Sequence, residues 1–101
     1  MATIEIRKGD TVQLNLDIKN DGKPFVPDGE KIVFSVGRYG EKEFSLEAEN
    51  NVVLIPHSLT NELSVGVYEF DVRVYDVDKT LVATPIVGRL SVLGVVNNDL
   101  V

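Results

Sequence analysis

The sequence predicts an all-β fold, a two-layer antiparallel β-sandwich of about seven strands. The first observation is an alternation of apolar and polar residues, clearest in residues 66–76, where the side chains at 68, 70, 72 and 74 are apolar. A period of two is typical of a half-buried strand. The second observation is that no stretch repeats apolar residues at intervals of three and four, so long helices are not expected. Turn residues separate the alternating segments, which favours antiparallel sheets.

Strand signals occur in several segments that are divided by turns. They are residues 3–7, 11–19, 31–38, 43–47, 51–56, 66–76 and 81–93. The connection 20–29 contains two Asp-Gly steps and two prolines, so it is predicted to hold more than one turn. Phe25 and Val26, the apolar residues of this connection, are expected to fold back and cover one end of the core.

The shorter connections predict two hairpins and one helical turn. Residues 39–42 and 48–50 have the composition of hairpin turns. Residues 57–65 break the alternation, and Ser58 or Thr60 is available there as a helix N-cap. We therefore expect one helical turn in an otherwise extended chain.

The composition limits the kinds of partner. The chain of 101 residues has a net charge of -6 and no cysteine, so neither nucleic-acid binding nor a disulfide or thiolate metal site is expected. No apolar run reaches the roughly 20 residues of a membrane helix, and no secretory signal is apparent, so a membrane is not expected as a partner. We expect one β-sandwich domain over residues 1–94 and a C-terminal tail or linker over residues 95–101.

The sequence shows no constellation of catalytic residues. His57 is the only histidine and is expected in a loop rather than as a general base. Glu69 and Asp71 are expected on the solvated face of a strand, where no burial tunes their pKa. Asp76 and Asp78 in a turn are candidates for a metal, calcium in particular, although aspartate favours turns for backbone reasons alone. No enzyme activity, cofactor or small-molecule ligand is predicted.

The last strand segment carries signs of a sheet edge. Pro85 and Gly88 within it suggest an edge position, a bulge or a switch between sheets. Edge strands expose unpaired backbone groups, and Pro85 together with Lys19, Lys79 and Arg89 is a candidate set of residues that block further pairing.

The edge has an alternative use as an interface. The apolar residues Leu93, Val95 and Val96 lie at or beyond the end of the last strand segment and are candidates for pairing with a neighbouring subunit. The other interpretation is that residues 95–101 form only a tail.

Residues 63–68, Leu-Ser-Val-Gly-Val-Tyr, followed by the alternating strand, resemble the entry to a late strand of immunoglobulin-like and fibronectin-like sandwiches. In that family a tyrosine near the strand start hydrogen-bonds back across a corner. The resemblance implies this structural role for Tyr68, with Gly66 at the start of the strand, and an immunoglobulin-like sandwich as the fold.

A narrower resemblance extends over most of the chain. It is carried by Gly9-Asp10-Thr11, Asp21-Gly22-Lys23-Pro24, Ile32-Val33-Phe34-Ser35-Val36, Gly66-Val67-Tyr68-Glu69-Phe70-Asp71-Val72 and Val87-Gly88-Arg89-Leu90-Ser91-Val92. This order is similar to the small β-sandwich modules of tailed-phage virions, particularly the N-terminal domain of the phage upper baseplate protein. The long helical region and the receptor-binding-protein docking domain of that family do not occur in this sequence.

The resemblance implies a non-enzymatic structural or assembly module of a phage or prophage virion, in a baseplate, tail or fibre. Its partners would be other virion proteins or further copies of itself, and its location the virion or, as a prophage product, the bacterial cytoplasm. The alternative function is a bacterial immunoglobulin-like adhesion or ligand-binding domain, in which calcium at Asp76 and Asp78 would add stability.

Overall fold

The computed structural model describes residues 2–20 and 22–94. In order along the chain the elements are β1 Ala2–Arg7, β2 Val12–Asn15, β3 Lys19–Asn20, β4 Lys23–Pro24, β5 Lys31–Arg38, β6 Glu41–Glu47, β7 Val52–Ile55, α1 His57–Glu62, β8 Gly66–Tyr75 and β9 Leu81–Leu93. The predicted all-β class is confirmed, because the helix of these residues has only 6 residues.

A mixed sheet of five strands forms the larger layer, in the order β1-β9-β8-β5-β6. The pairs β9-β8, β8-β5 and β5-β6 are antiparallel, whereas β1 runs parallel to β9, with Ala2 opposite Gly88. The expectation of a purely antiparallel sheet is therefore wrong at this edge. Side chains alternate in the same way in parallel and antiparallel strands, so the sequence pattern does not specify strand direction.

Two short sheets complete the strand pairing among the described residues. β2 pairs with β7, and β3 pairs with β4. The predicted single strand over residues 11–19 is thus divided into β2 and β3, although Leu16 still donates a backbone hydrogen bond to Asn51 at 2.8 Å. Residues 16–18 continue the alternation of apolar and polar side chains although their backbone is not part of a strand. Ile18 is apolar there because its side chain is buried.

The predicted hairpin after β6 is also different in the structure. β7 pairs with β2 and not with β6, and the chain turns through an isolated bridge between Glu49 and Val52. Asn50 and Asn51 both have positive φ, 52° and 62°, a conformation that asparagine tolerates better than most residues. This turn carries the chain out of the five-stranded sheet and into the smaller one.

One hydrophobic cluster holds the sheets together. The five-stranded sheet contributes Ile6, Ile32, Phe34, Val36, Tyr68, Phe70, Val72, Val74, Leu90 and Val92, and the rest of the chain contributes Ile18, Val53, Ile55 and Leu63. The rings of Phe34 and Phe70 lie 5.4 Å apart between centroids. Burying a side chain of this size contributes about 1.5–3 kcal/mol, so this cluster is the main source of stability.

The connections agree only partly with the sequence-based expectations. The helical turn within residues 57–65 is confirmed as α1, but its N-cap residue is Pro56, with no side-chain cap. Thr60 is instead fully buried and donates its hydroxyl hydrogen bond to the Asp10 carbonyl at 2.6 Å. Phe25 packs against the core as expected, whereas Val26 is exposed.

Candidate functional site

The outer face of the five-stranded sheet carries the charged residues of β8. Glu69 is exposed as predicted, but Asp71 is not fully solvated, because its side chain retains only 25% exposure. The Asp71 Oδ2 atom lies 3.3 Å from Nε of Arg73, while Oδ1 is buried without a hydrogen-bond partner. A buried carboxylate oxygen without a partner costs free energy. The prediction that Asp71 lies on a solvated face is therefore wrong in part, because one of its carboxylate oxygens is buried.

Arg73 is a permanent cation at this position. A hydrogen bond to Tyr75, followed by the charge of Asp71, raises the pKa of its guanidinium above its usual range. An arginine is already fully protonated near neutral pH, so the raised pKa leaves its charge unchanged there. Arg73 and Asp71 therefore form a fixed lateral pair on an exposed surface, an arrangement of small energetic value.

A shallow groove of about 540 Å³ crosses this outer face from β6 to β9. Its lining combines cations and anions, namely Arg38, Lys42, Arg73, Arg89, Glu41, Glu69 and Asp71. Gly37 allows the backbone of β6 to approach closely here, since a Cβ at this position would lie 2.5 Å from the carbonyl oxygen of Glu41. Mixed charge of this kind suits polar protein surfaces better than a single metal ion or anion.

The β5–β6 turn places an aromatic residue at the rim of the groove. Tyr39 is 91% exposed and has a φ of 58°, which is unusual for a bulky residue. The Arg38 guanidinium lies over two rings, with its carbon 5.4 Å from the centroid of Tyr39 and 4.4 Å from that of Tyr68. The composition of residues 39–42 predicted the turn but not a role for Tyr39.

The turn after β8 contains the two candidate metal ligands. Asp76 accepts a hydrogen bond from the Val77 backbone on its Oδ1 atom at 2.6 Å, and its own carbonyl accepts one from Lys79 at 2.8 Å. Asp78 is exposed. No group of three or more His, Cys, Asp or Glu side chains placed to hold a metal occurs in the part of the chain that the structure describes.

Tyr68 and Gly66 lie at the start of β8. The Tyr68 hydroxyl is buried and donates a hydrogen bond to the Ser64 carbonyl at 2.8 Å. A Cβ on Gly66 would lie 3.0 Å from Nη1 of Arg38. Tyr68 thus lies against Arg38, and a side chain at position 66 would crowd the same guanidinium. The structural role expected of Tyr68 and Gly66 can be tested by substitution.

The remaining predicted residues are widely separated. His57 is exposed as the first residue of α1. Leu93 is half-buried at the end of β9, opposite Arg7, and the other interface candidates, Val95 and Val96, lie outside the described residues. Arg89 is paired on both sides, with Thr3 and Glu69, so its proposed action as an edge blocker is wrong.

An edge or bulge was expected at Pro85, but the first half of β9 was not predicted as a contact surface. β1 pairs only with residues 88–93 of β9, so residues 81–87 have β8 on one side and no strand on the other within the described chain. We call residues 81–87 the open edge. Its apolar side chains are well exposed, with Leu81 at 46%, Val82 at 61% and Val87 at 53%.

The open edge is irregular where it faces β8. The register shifts between Val72 and Val74 and again between Val74 and Tyr75, which leaves extra residues on β9, as in β-bulges. Pro85 lies at the first of these shifts, in agreement with the expected edge or bulge position. The sequence signal for this surface was the uncharged run of residues 80–88 between Lys79 and Arg89.

Among residues 2–20 and 22–94, no helix is long and apolar enough to cross a membrane. In comparisons with known proteins, no family model matches the chain and no curated protein matches it significantly.

Proposed function

We propose that this protein is a non-enzymatic structural or assembly module of a phage or prophage virion, located in a baseplate, tail or fibre. It acts through protein-protein contacts, with other virion proteins or with further copies of itself. It is found in the virion, and in the bacterial cytoplasm before assembly. The sequence resemblance to the upper baseplate module supports the virion context, and the surface of the protein supports the mode of action.

The open edge is the observation that carries this proposal. The chain has a net charge of -6, yet residues 80–88 contain no charged side chain, and Leu81, Val82 and Val87 expose their apolar surface there. Exposed apolar side chains between charged flanks are typical of protein-protein contact sites. The mixed charges of the neighbouring groove fit the polar periphery of such a contact.

The immunoglobulin-like sandwich is the fold that we propose for this module. Two features support it: β2 and β7 share one hydrophobic cluster with the five-stranded sheet, and Tyr68 bonds back to Ser64 near the start of β8. Sandwich domains present loops and edges on a rigid core, which suits a component whose task is to hold neighbours in fixed positions.

Purified particles test the virion assignment. Virions are released by prophage induction from a bacterium that carries the gene, separated on a density gradient, and digested for mass spectrometry. We expect peptides of this chain to band with the tail proteins, in a fixed ratio to them across the gradient. An abundant cytoplasmic enzyme serves as the negative control. Recovery of the chain only from the soluble fraction would contradict the proposal.

A further inference from the structure

We propose that the open edge binds the β6 strand of a second copy of this chain, so that copies join head to tail into one continuous sheet. This inference rests on the proposed assembly function and names the partner. Both strands are at the borders of the five-stranded sheet: β6 is its last strand on one side, and residues 81–87 extend beyond β1 on the other side.

The strand directions are compatible with this joint. β6 runs antiparallel to β5, β5 antiparallel to β8, and β8 antiparallel to β9, so β6 and β9 of one copy point in opposite directions. A second copy that continues the sheet in the same orientation therefore brings its β6 antiparallel to the open edge. Antiparallel neighbours form the stronger of the two ladder types. β1 occupies residues 88–93, so the second copy must be staggered towards residue 81.

The charges at the two ends of each strand are complementary. β6 begins at Glu41 and ends at Glu47, and the open edge is flanked by Lys79 and Arg89. Antiparallel alignment places Glu41 near Arg89 and Glu47 near Lys79. The ion pairs in the described part of the chain join Asp17 to Lys19 and Asp71 to Arg73. The charges at the ends of β6 and of the open edge therefore have no ion-pair partner there. Complementary charges fix the register of such a contact.

The apolar residues of the two borders also match. Phe44 and Leu46 of β6 and Ile86 of the open edge are half-buried and pack against the core. Placing the two strands side by side covers these residues and extends the inner face from one copy to the next. Alternating side chains keep this apolar face on one side of the joined sheet.

The irregularities of the open edge make the pairing selective. Pro85 lacks a backbone donor, and bulges and prolines discourage unspecific strand pairing. A partner strand must therefore be held by side chains and end charges in addition to backbone hydrogen bonds, which favours β6 over an arbitrary strand. Because the two surfaces differ, the contact is heterologous and produces a ring or an open chain, not a closed two-fold dimer.

Two variants that each retain one surface test the inference by sedimentation equilibrium of the whole chain. Val82→Lys disables the open edge, and the double variant Glu41→Lys/Glu47→Lys disables β6. The wild type is expected to exceed the mass of a dimer as its concentration rises, whereas each variant alone has an association constant at least about tenfold lower. Mixed together, the two variants should form a one-to-one dimer and grow no further, since each supplies the surface that the other lacks.

The matched control is Val67→Lys, because Val67 is also a strand valine and is 57% exposed. It should associate like the wild type, and thermal unfolding of all variants verifies that they are folded. The inference would be overturned if the wild type is a monomer at every concentration or stops at a dimer. It would also be overturned if the mixed variants stay monomeric. A monomer in solution that is nevertheless found in purified particles would remove self-pairing and leave the virion function intact.

Discussion

At the scale of single residues, Gly88 shows how closely the chain approaches itself. A Cβ at this position would lie 2.8 Å from Cε1 of Phe70 and would also collide with the Ala2 carbonyl. Gly88→Ala is therefore expected to lower the free energy of unfolding by about 1–3 kcal/mol through overpacking. Urea denaturation measures this change. Gly94→Ala is the control, since the nearest atom to its Cβ is 3.7 Å away; equal stability of the two variants would show that β1 is not closely packed on β9.

The Tyr68 hydroxyl is a second residue with a defined contact. Tyr68→Phe removes the hydrogen bond to Ser64 and leaves that carbonyl without this donor, so the free energy of unfolding should fall by about 1 kcal/mol. The comparison is Tyr39→Phe, which changes the same atom on a side chain that is 91% exposed and should have no effect. If both substitutions leave the urea midpoint unchanged, Tyr68 does not stabilise the corner.

Asp76 provides a test of calcium binding. Its Oδ1 atom already accepts a hydrogen bond from Val77, and a calcium ion needs six to eight oxygen ligands. A ligand that binds the native state raises the melting temperature, so we expect the same melting temperature in excess calcium and in chelator. A rise with calcium that disappears in Asp78→Asn would instead support the adhesion-domain alternative.

At the scale of elements, the β5–β6 hairpin has a turn that its sequence does not favour. Tyr39 and Gly40 both have positive φ, 58° and 78°, the pattern of a type I′ turn, for which Asn-Gly is the preferred pair. A left-handed conformation costs most residues about 1–2 kcal/mol. The contact of Tyr39 with Arg38 returns only part of this cost, because exposed cation–π pairs contribute about 0.5–1 kcal/mol.

Replacing Tyr39 measures this balance. Tyr39→Asn is expected to raise the free energy of unfolding by roughly 0.5 kcal/mol, since the turn strain decreases more than the lost aromatic contact costs. Tyr39→Ala keeps the unfavourable φ and loses the ring, so it should lower stability. Chemical denaturation of both variants distinguishes them, and a less stable Tyr39→Asn would mean that the aromatic contact outweighs the backbone strain.

The elements also show which features the sequence can predict. Alternation identified β5, β8 and the second half of β9 well, because each of these buries one face. It failed for residues 11–19, where residues 16–18 are not in a strand although Ile18 still packs in the core. The pairing of β7 with β2 was also missed, since side-chain patterns within a strand do not identify its neighbour.

The candidate surface was harder to predict for a related reason. The open edge depends on where β1 stops along β9, and the parallel register of Ala2 with Gly88 is a long-range property without a local signal. The uncharged run of residues 80–88 was visible in the sequence, but it is equally typical of a buried strand. Val82 lies in the part of β9 that β1 does not reach, and its side chain is 61% exposed.

At the scale of the whole molecule, the pairing of β1 with β9 joins the two ends of the described chain. Ile6, on β1, is buried opposite Val92, and their contact can form only after nearly the whole chain has closed into a loop. Closing a long loop costs entropy before the contact is gained. Folds dominated by such distant pairings generally fold in milliseconds to seconds. We therefore expect β1 to join the sheet late in folding.

Stopped-flow kinetics of Ile6→Ala test this order. Removing this buried side chain should lower the free energy of unfolding by about 2–5 kcal/mol. If β1 joins late, most of that loss appears as faster unfolding, with a φ-value below about 0.3. Val72→Ala, at a fully buried site on the central strand β8, is the comparison and should slow folding more. An Ile6→Ala variant that folds much more slowly while unfolding at the wild-type rate would place β1 in the folding nucleus, because only contacts present in the transition state change the folding rate.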